Sequence, residues 1–118
     1  MTIGENIHGE VVTISLRGSL LGEPDATNLR QTVYRLLEEK RRHFVLDLSE
    51  LKYINSMGLG ALIASLTSIR KREGDMCIAR VRDKVEGILV ITKLVKVFRV
   101  YETVEKAVES LRNDRTHH

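Results

Sequence analysis

Val12, Ile14 and Leu16 alternate with Val11, Thr13 and Ser15, a period of two that predicts a half-buried strand. A shorter apolar piece from Ile3 to Ile7 precedes it across His8-Gly9-Glu10, so the chain is expected to open on a hairpin. Beyond a loop bracketed by Gly18 and Gly22 the period changes. Ala26, Leu29, Val33, Leu36 and Leu37 fall on one face at spacings of three and four, opposite Arg30, Arg35 and Glu38, which predicts an amphipathic helix. Pro24 suits its first position and Asp25 adds favourable negative charge to the first turn. The end is expected near Arg41 and Arg42, whose charges suit the negative end of the helix dipole.

The run from His43 to Leu48 is too short and too apolar for a surface helix; it reads as an interior strand with parallel neighbours. Ser49 to Ile54 leads from it into a second helical stripe of Leu59, Leu62, Ile63, Leu66 and Ile69, expected to end near Gly74. Met76 to Ala79 is another short strand, and Lys84 to Thr92 regains helical spacing through Val85, Ile88 and Leu89. Lys93 to Tyr101 carries Val97, Phe98 and Val100 in β-prone order, and Thr103 then caps a last helix with Val104, Ala107, Val108 and Leu111 inside. The order β-β-α-β-α-β-α-β-α implies an α/β layer structure around a mixed, largely parallel sheet.

With 118 residues the chain has material for one core and too little for two ordinary domains. A single domain over residues 1–113 is expected, followed by a polar tail, 114–118, in which His117 and His118 read as a tag remnant. There is no Trp and only 4% aromatic residues, which argues against stacking surfaces and leaves the core to Leu, Ile and Val. The lone Cys77 has no internal disulfide partner and fits a reducing, cytoplasmic setting. No apolar run reaches membrane-spanning length and the N-terminus lacks signal-peptide character, so no membrane insertion is expected. The charge is uneven: seven basic residues face eight acidic ones up to Leu59, and twelve face eight from Gly60 on. Scattered among apolar positions, Arg82, Lys84, Lys93 and their neighbours describe a solvated face better than a nucleic-acid stripe.

Enzyme signatures fail in turn. There is no phosphate loop and no nucleophile elbow, and Gly58-Leu-Gly60 misses the dinucleotide fingerprint because Ile63 stands where its last glycine belongs. His8 and His43 have no metal-ligand spacing with Cys77, so neither a metal nor another cofactor is expected, and His43 simply opens a strand. Asp47, inside an apolar strand, reads as a structural acid bonded to a neighbouring loop. What remains is Tyr53-Ile-Asn-Ser-Met-Gly-Leu-Gly60, a polar pair and two glycines at a strand-to-helix junction. The free N–H groups of a helix start attract an anion or phosphate there, although Asn55 or Ser56 acting only as an N-cap satisfies the same pattern.

Phe44-Val-Leu-Asp-Leu-Ser-Glu-Leu-Lys-Tyr-Ile-Asn-Ser-Met-Gly-Leu-Gly60 resembles the signature of STAS domains. The Leu16-Arg-Gly18 turn, the helix start at Glu23, the Arg72-Glu-Gly74 helix end and the closing Tyr101-Glu-Thr-Val-Glu-Lys-Ala107 extend the similarity through nearly the whole chain. In free-standing bacterial members the motif usually reads Asp-Ser-(Ser or Thr)-Gly-Leu-Gly, and its first serine, here Ser56, is phosphorylated by a kinase that is also an anti-sigma factor. Asn55 replaces the usual Asp, and Met57 the usual Ser or Thr. The resemblance implies an anti-sigma factor antagonist, non-enzymatic, with a kinase anti-sigma factor and a serine phosphatase as partners and no cofactor. Asn55, Ser56, Met57, Gly58 and Leu59 are the implied partner-binding residues, with close packing as the alternative role for Gly58 and Gly60 and the core for Leu59. A STAS scaffold, or an accessory subunit of a lipid transporter, is the alternative function. A Ser56-dependent hydrolase ranks third because no base accompanies that serine. Nothing in the pattern specifies an oligomeric state.

Overall fold

Ten elements follow one another in the computed structural model, which describes residues 1–116. They are β1 (Thr2–His8), β2 (Val11–Leu20), α1 (Asp25–Glu38), β3 (His43–Ile54), α2 (Ser56–Lys71), β4 (Asp75–Ala79), α3 (Asp83–Ile91), a 3-10 turn (Leu94–Lys96), β5 (Val100–Tyr101) and α4 (Val104–Thr116). The sheet runs in the order β1-β2-β3-β4-β5. Only the opening hairpin β1–β2 is antiparallel; the remaining three pairings are parallel. The α/β order expected from periodicity is the observed one. α4 runs through residues 114–116 of the expected tail, while His117 and His118 lie outside the described residues.

Two apolar layers sandwich this sheet. Val12, Ile14, Leu16, Phe44, Leu46 and Leu48 share one cluster with the buried faces of α1, α2 and α3, whereas Val11, Val45, Cys77 and Ala79 meet Ala107, Val108 and Leu111 of α4 on the other side. β2 is therefore buried on both faces at its start, not half-buried: Val11 packs in α4's layer while Val12 and Ile14 pack in the other, and Thr13 is buried too.

Several boundaries differ from expectation, each for a local reason. Pro24 occupies the N-cap of α1, so the helix starts at Asp25. It stops at Glu38 because Lys40 turns left-handed (φ 73°), with Arg41 N–H bonded to the Leu36 carbonyl at 3.0 Å. Arg42 still serves the helix end, donating to the Leu37 carbonyl at 3.0 Å. α2 ends at Lys71 through left-handed Glu73, while Gly74 lets the chain pass the Arg42 carbonyl, which a Cβ would meet at 2.2 Å.

β3 runs six residues beyond Leu48, pairing with Arg17–Leu20 through two register shifts. In the segment 93–101 only Val100–Tyr101 is a strand. Leu94 and Phe98, four apart, are buried by a helical turn in which Phe98 N–H bonds the Leu94 carbonyl at 2.9 Å.

Candidate functional site

β2 and β3 end side by side, Leu20 opposite Ile54, and α2 begins one residue later. Asn55 makes that junction. Its extended backbone (φ −118°, ψ −172°) leaves the strand, and its Oδ1 accepts the Gly58 N–H at 3.0 Å, a side-chain N-cap. Its own N–H donates to the Leu20 carbonyl at 3.3 Å, and its Nδ2 donates to the Leu21 carbonyl at 2.5 Å. An acceptor contact on one side and a donor contact on the other fix the amide's orientation. The residue therefore caps α2 and ties it to the loop that leads into α1, a second role no local pattern predicts.

Ser56 is the first residue of α2 and is exposed. Among the described residues no protein group bonds its hydroxyl, and no acid lies in the first turn to offset the positive end of the helix. Met57 is 54% exposed and lies over Gly22, where an added Cβ would stand 3.6 Å from its sulfur. Leu21 (51%) and Tyr53 (47%) expose further apolar surface on the two strand ends.

Gly58 and Leu59 face the other way. A Cβ on Gly58 would stand 2.4 Å from the Leu20 carbonyl oxygen and 2.7 Å from Ile54 Cγ1, so the glycine lets α2 seat against the strand ends. Leu59 is 8% exposed and belongs to the core. Gly60 has nothing within 4 Å of an added Cβ, so close packing does not account for it. Of the five expected contact residues, Asn55, Ser56 and Met57 stand at the surface together, and Gly58 and Leu59 support them from beneath.

Asp47 binds the loop after β4. Arg80 Nε and Nη2 donate to its two carboxyl oxygens at 3.2 and 2.8 Å, and Ser49 N–H donates to Oδ1 at 3.1 Å. Burial pushes this carboxyl up, but the Arg80 fork and the Ser49 groups outweigh it and hold the carboxyl below the usual range. The clamp fixes Arg80 in a left-handed conformation (φ 57°) just before α3. Among the described residues no group of three potential metal ligands comes together, and no helix is long and apolar enough to cross a membrane.

The STAS domain family model matches residues 5–107. This chain is a STAS domain. A Thermotoga maritima protein assigned as an anti-sigma factor antagonist is 33% identical over 67 residues, which are 57% of this chain and 59% of that protein, so the chain spans about three fifths of that relative. The anti-sigma F factor antagonist of Paenibacillus polymyxa is 25% identical over 104 residues, 88% of this chain and 89% of that protein. Among solved structures, a T. maritima protein assigned as an anti-sigma factor antagonist superposes at a TM-score of 0.85 with 26% identity, covering 93% of this chain and 94% of that one. The Bacillus protein SpoIIAA shares the fold in its unphosphorylated form (TM-score 0.71, 15% identity, 94% and 98% covered) and in its phosphorylated form (0.72, 14%, 92% and 98%).

Proposed function

We propose that this STAS domain is an anti-sigma factor antagonist whose partner contact and control point is the exposed start of α2. The partner is an anti-sigma factor with serine kinase activity, which phosphorylates Ser56; a serine phosphatase reverses the modification, and the cycle operates in the cytoplasm. One observation carries the proposal: Ser56 presents a hydroxyl that bonds no protein group among the described residues, at the positive end of α2 and on the same surface as Asn55 and Met57, beside the exposed Leu21 and Tyr53 at the strand ends. The relatives named for antagonism of anti-sigma factors support it. A phosphate on Ser56 adds about −1.5 to −2 charges at neutral pH. The helix start favours that charge in the free protein, whereas a partner packed on a neutral hydroxyl is repelled or must bury it.

The test is incubation with the kinase anti-sigma factor of the same genome and ATP, read by intact mass. One phosphate is expected on the wild-type chain and none on Ser56→Ala. If no phosphate is added, and Ser56→Asp binds the kinase as tightly as wild type, the switch is refuted and a scaffold role takes its place.

A further inference from the structure

Two of the basic residues of the second half of the chain, Arg82 and Lys84, find a place beside this site. A groove of about 660 Å³ opens at the carboxyl ends of β2 and β3 and the start of α3. Arg17, Lys52, Tyr53, Arg82 and Lys84 line it together with Glu50, the one acid among the described lining residues. Arg17 pairs with Glu50, so those two charges offset each other. Lys52, Arg82 and Lys84 have no acidic partner among the described residues; Lys84 rests over the Tyr53 ring, 4.9 Å from its centre. Three cations from β3 and the α3 entry, without an acidic partner among the described residues, thus share one concavity and favour an anionic occupant there.

We propose that this groove docks a carboxylate-rich segment of a protein partner. Sites for small anionic molecules enclose most of their ligand, whereas Lys52, Arg82 and Lys84 are all exposed and the groove is open along one side. A chain lying across it satisfies the charges without enclosure. Nucleic acid needs a longer cationic stripe than three side chains around one concavity supply. The inference deepens the partner-binding proposal by naming the partner's chemistry: Tyr53, in the groove, stands three residues before Ser56, so a partner reaching Ser56 crosses the rim. A phosphate on Ser56 would then repel the same acidic segment that the groove attracts.

Titration of the full chain into fluorescein-labelled hexaglutamate, read by anisotropy at low salt and mapped by amide chemical shifts, tests the groove without any phosphorylation step. Shifts are expected to cluster on Lys52, Tyr53, Arg82 and Lys84. Affinity should fall about tenfold in Arg82→Glu/Lys84→Glu and change less than about twofold in Lys40→Glu/Lys71→Glu, which alters net charge equally but away from the groove. Should the first pair fail to fold by circular dichroism, Lys52→Gln replaces it, with a loss of about threefold expected against none for Lys71→Gln. Three results overturn the proposal: no saturable binding, equal losses for groove and distant variants, or groove shifts produced by ATP or an oligonucleotide but not by the peptide. The titration contains no kinase and no phosphate, so failure of the phosphate switch and failure of the groove are read separately.

Discussion

Gly58 and Gly60 occupy the same helix two residues apart, yet alanine should act on them in opposite directions. At Gly60 a Cβ meets nothing within 4 Å. Replacing a helical glycine with alanine there lowers the entropy cost of ordering the backbone, and about 0.5–1 kcal/mol of added stability is expected. At Gly58 the same Cβ must displace the Leu20 carbonyl oxygen at 2.4 Å and Ile54 Cγ1 at 2.7 Å. The side chain can give way, but the carbonyl cannot retreat freely: it accepts the Asn55 N–H at 3.3 Å, and Leu20 is held opposite Ile54 in the β2–β3 ladder. Overpacking of this kind costs about 1–3 kcal/mol, only partly offset by the helix preference of alanine. The net expectation is a loss of about 1–2 kcal/mol for Gly58→Ala, and so a separation of about 1.5–3 kcal/mol between the variants. For a domain of this size each 1 kcal/mol moves Tm by about 3–6 °C. Urea and thermal unfolding of both variants, followed by circular dichroism, measure the difference. Gly58→Ala as stable as Gly60→Ala would refute the argument that Gly58 seats α2 against the strand ends.

Three further outcomes are expected. Asn55→Ala should lose about 0.5–2 kcal/mol with the cap; Asn55→Asp keeps the acceptor for Gly58 N–H but sets a carboxylate against the Leu21 carbonyl, so it should fall between alanine and wild type in urea unfolding and speed hydrogen exchange around Leu21. Because the folded Asp47 carboxyl lies below its ordinary value, its stabilising effect is complete above the unfolded carboxyl pKa, about 3.9, and is lost as pH falls through the folded value. Asp47→Asn should start less stable at neutral pH and show a shallower acid decline in a series of unfolding curves. Met57→Thr, which restores the usual family residue type, should leave stability within about 0.5 kcal/mol while changing affinity for the anti-sigma factor, measured by calorimetry.

The layered fold was legible because its buried positions repeat at strand or helix period: Ala26 to Leu37 along α1, Leu59 to Ile69 along α2, and Phe44 to Leu48 between two covered faces. Where bulges or mixed geometry break the period, the prediction failed. Leu51 and Ile54 are three apart because register shifts in the β2–β3 ladder interrupt the alternation, so the second half of β3 carries no strand period in its sequence. Leu94 and Phe98 bury themselves through one turn of helix inside a stretch rich in β-branched residues. The serine was found from its motif. The bond from Asn55 to Leu21 spans 34 residues and the basic groove draws on β2, β3 and α3, so neither leaves a trace in local spacing.

That long bond bears on how the proposed switch works. α2 is fastened at its start by Asn55, through Gly58, Leu20 and Leu21, while Ser56 contributes no side-chain bond to the protein among the described residues. A phosphate on Ser56 therefore has no internal contact to break, and the helix start already favours its charge. The modification should change the surface without reorganising the fold. Its effect falls on whatever covers Leu21, Tyr53 and Met57, because a partner seated on that apolar surface must either leave water around the phosphate or bury it. Burying such a charge without a cationic partner costs several kcal/mol, enough to reverse an interaction of ordinary strength. With the anchoring residue and the residue proposed for modification adjacent but distinct, the same helix start should keep its shape in both proposed states and differ in charge alone.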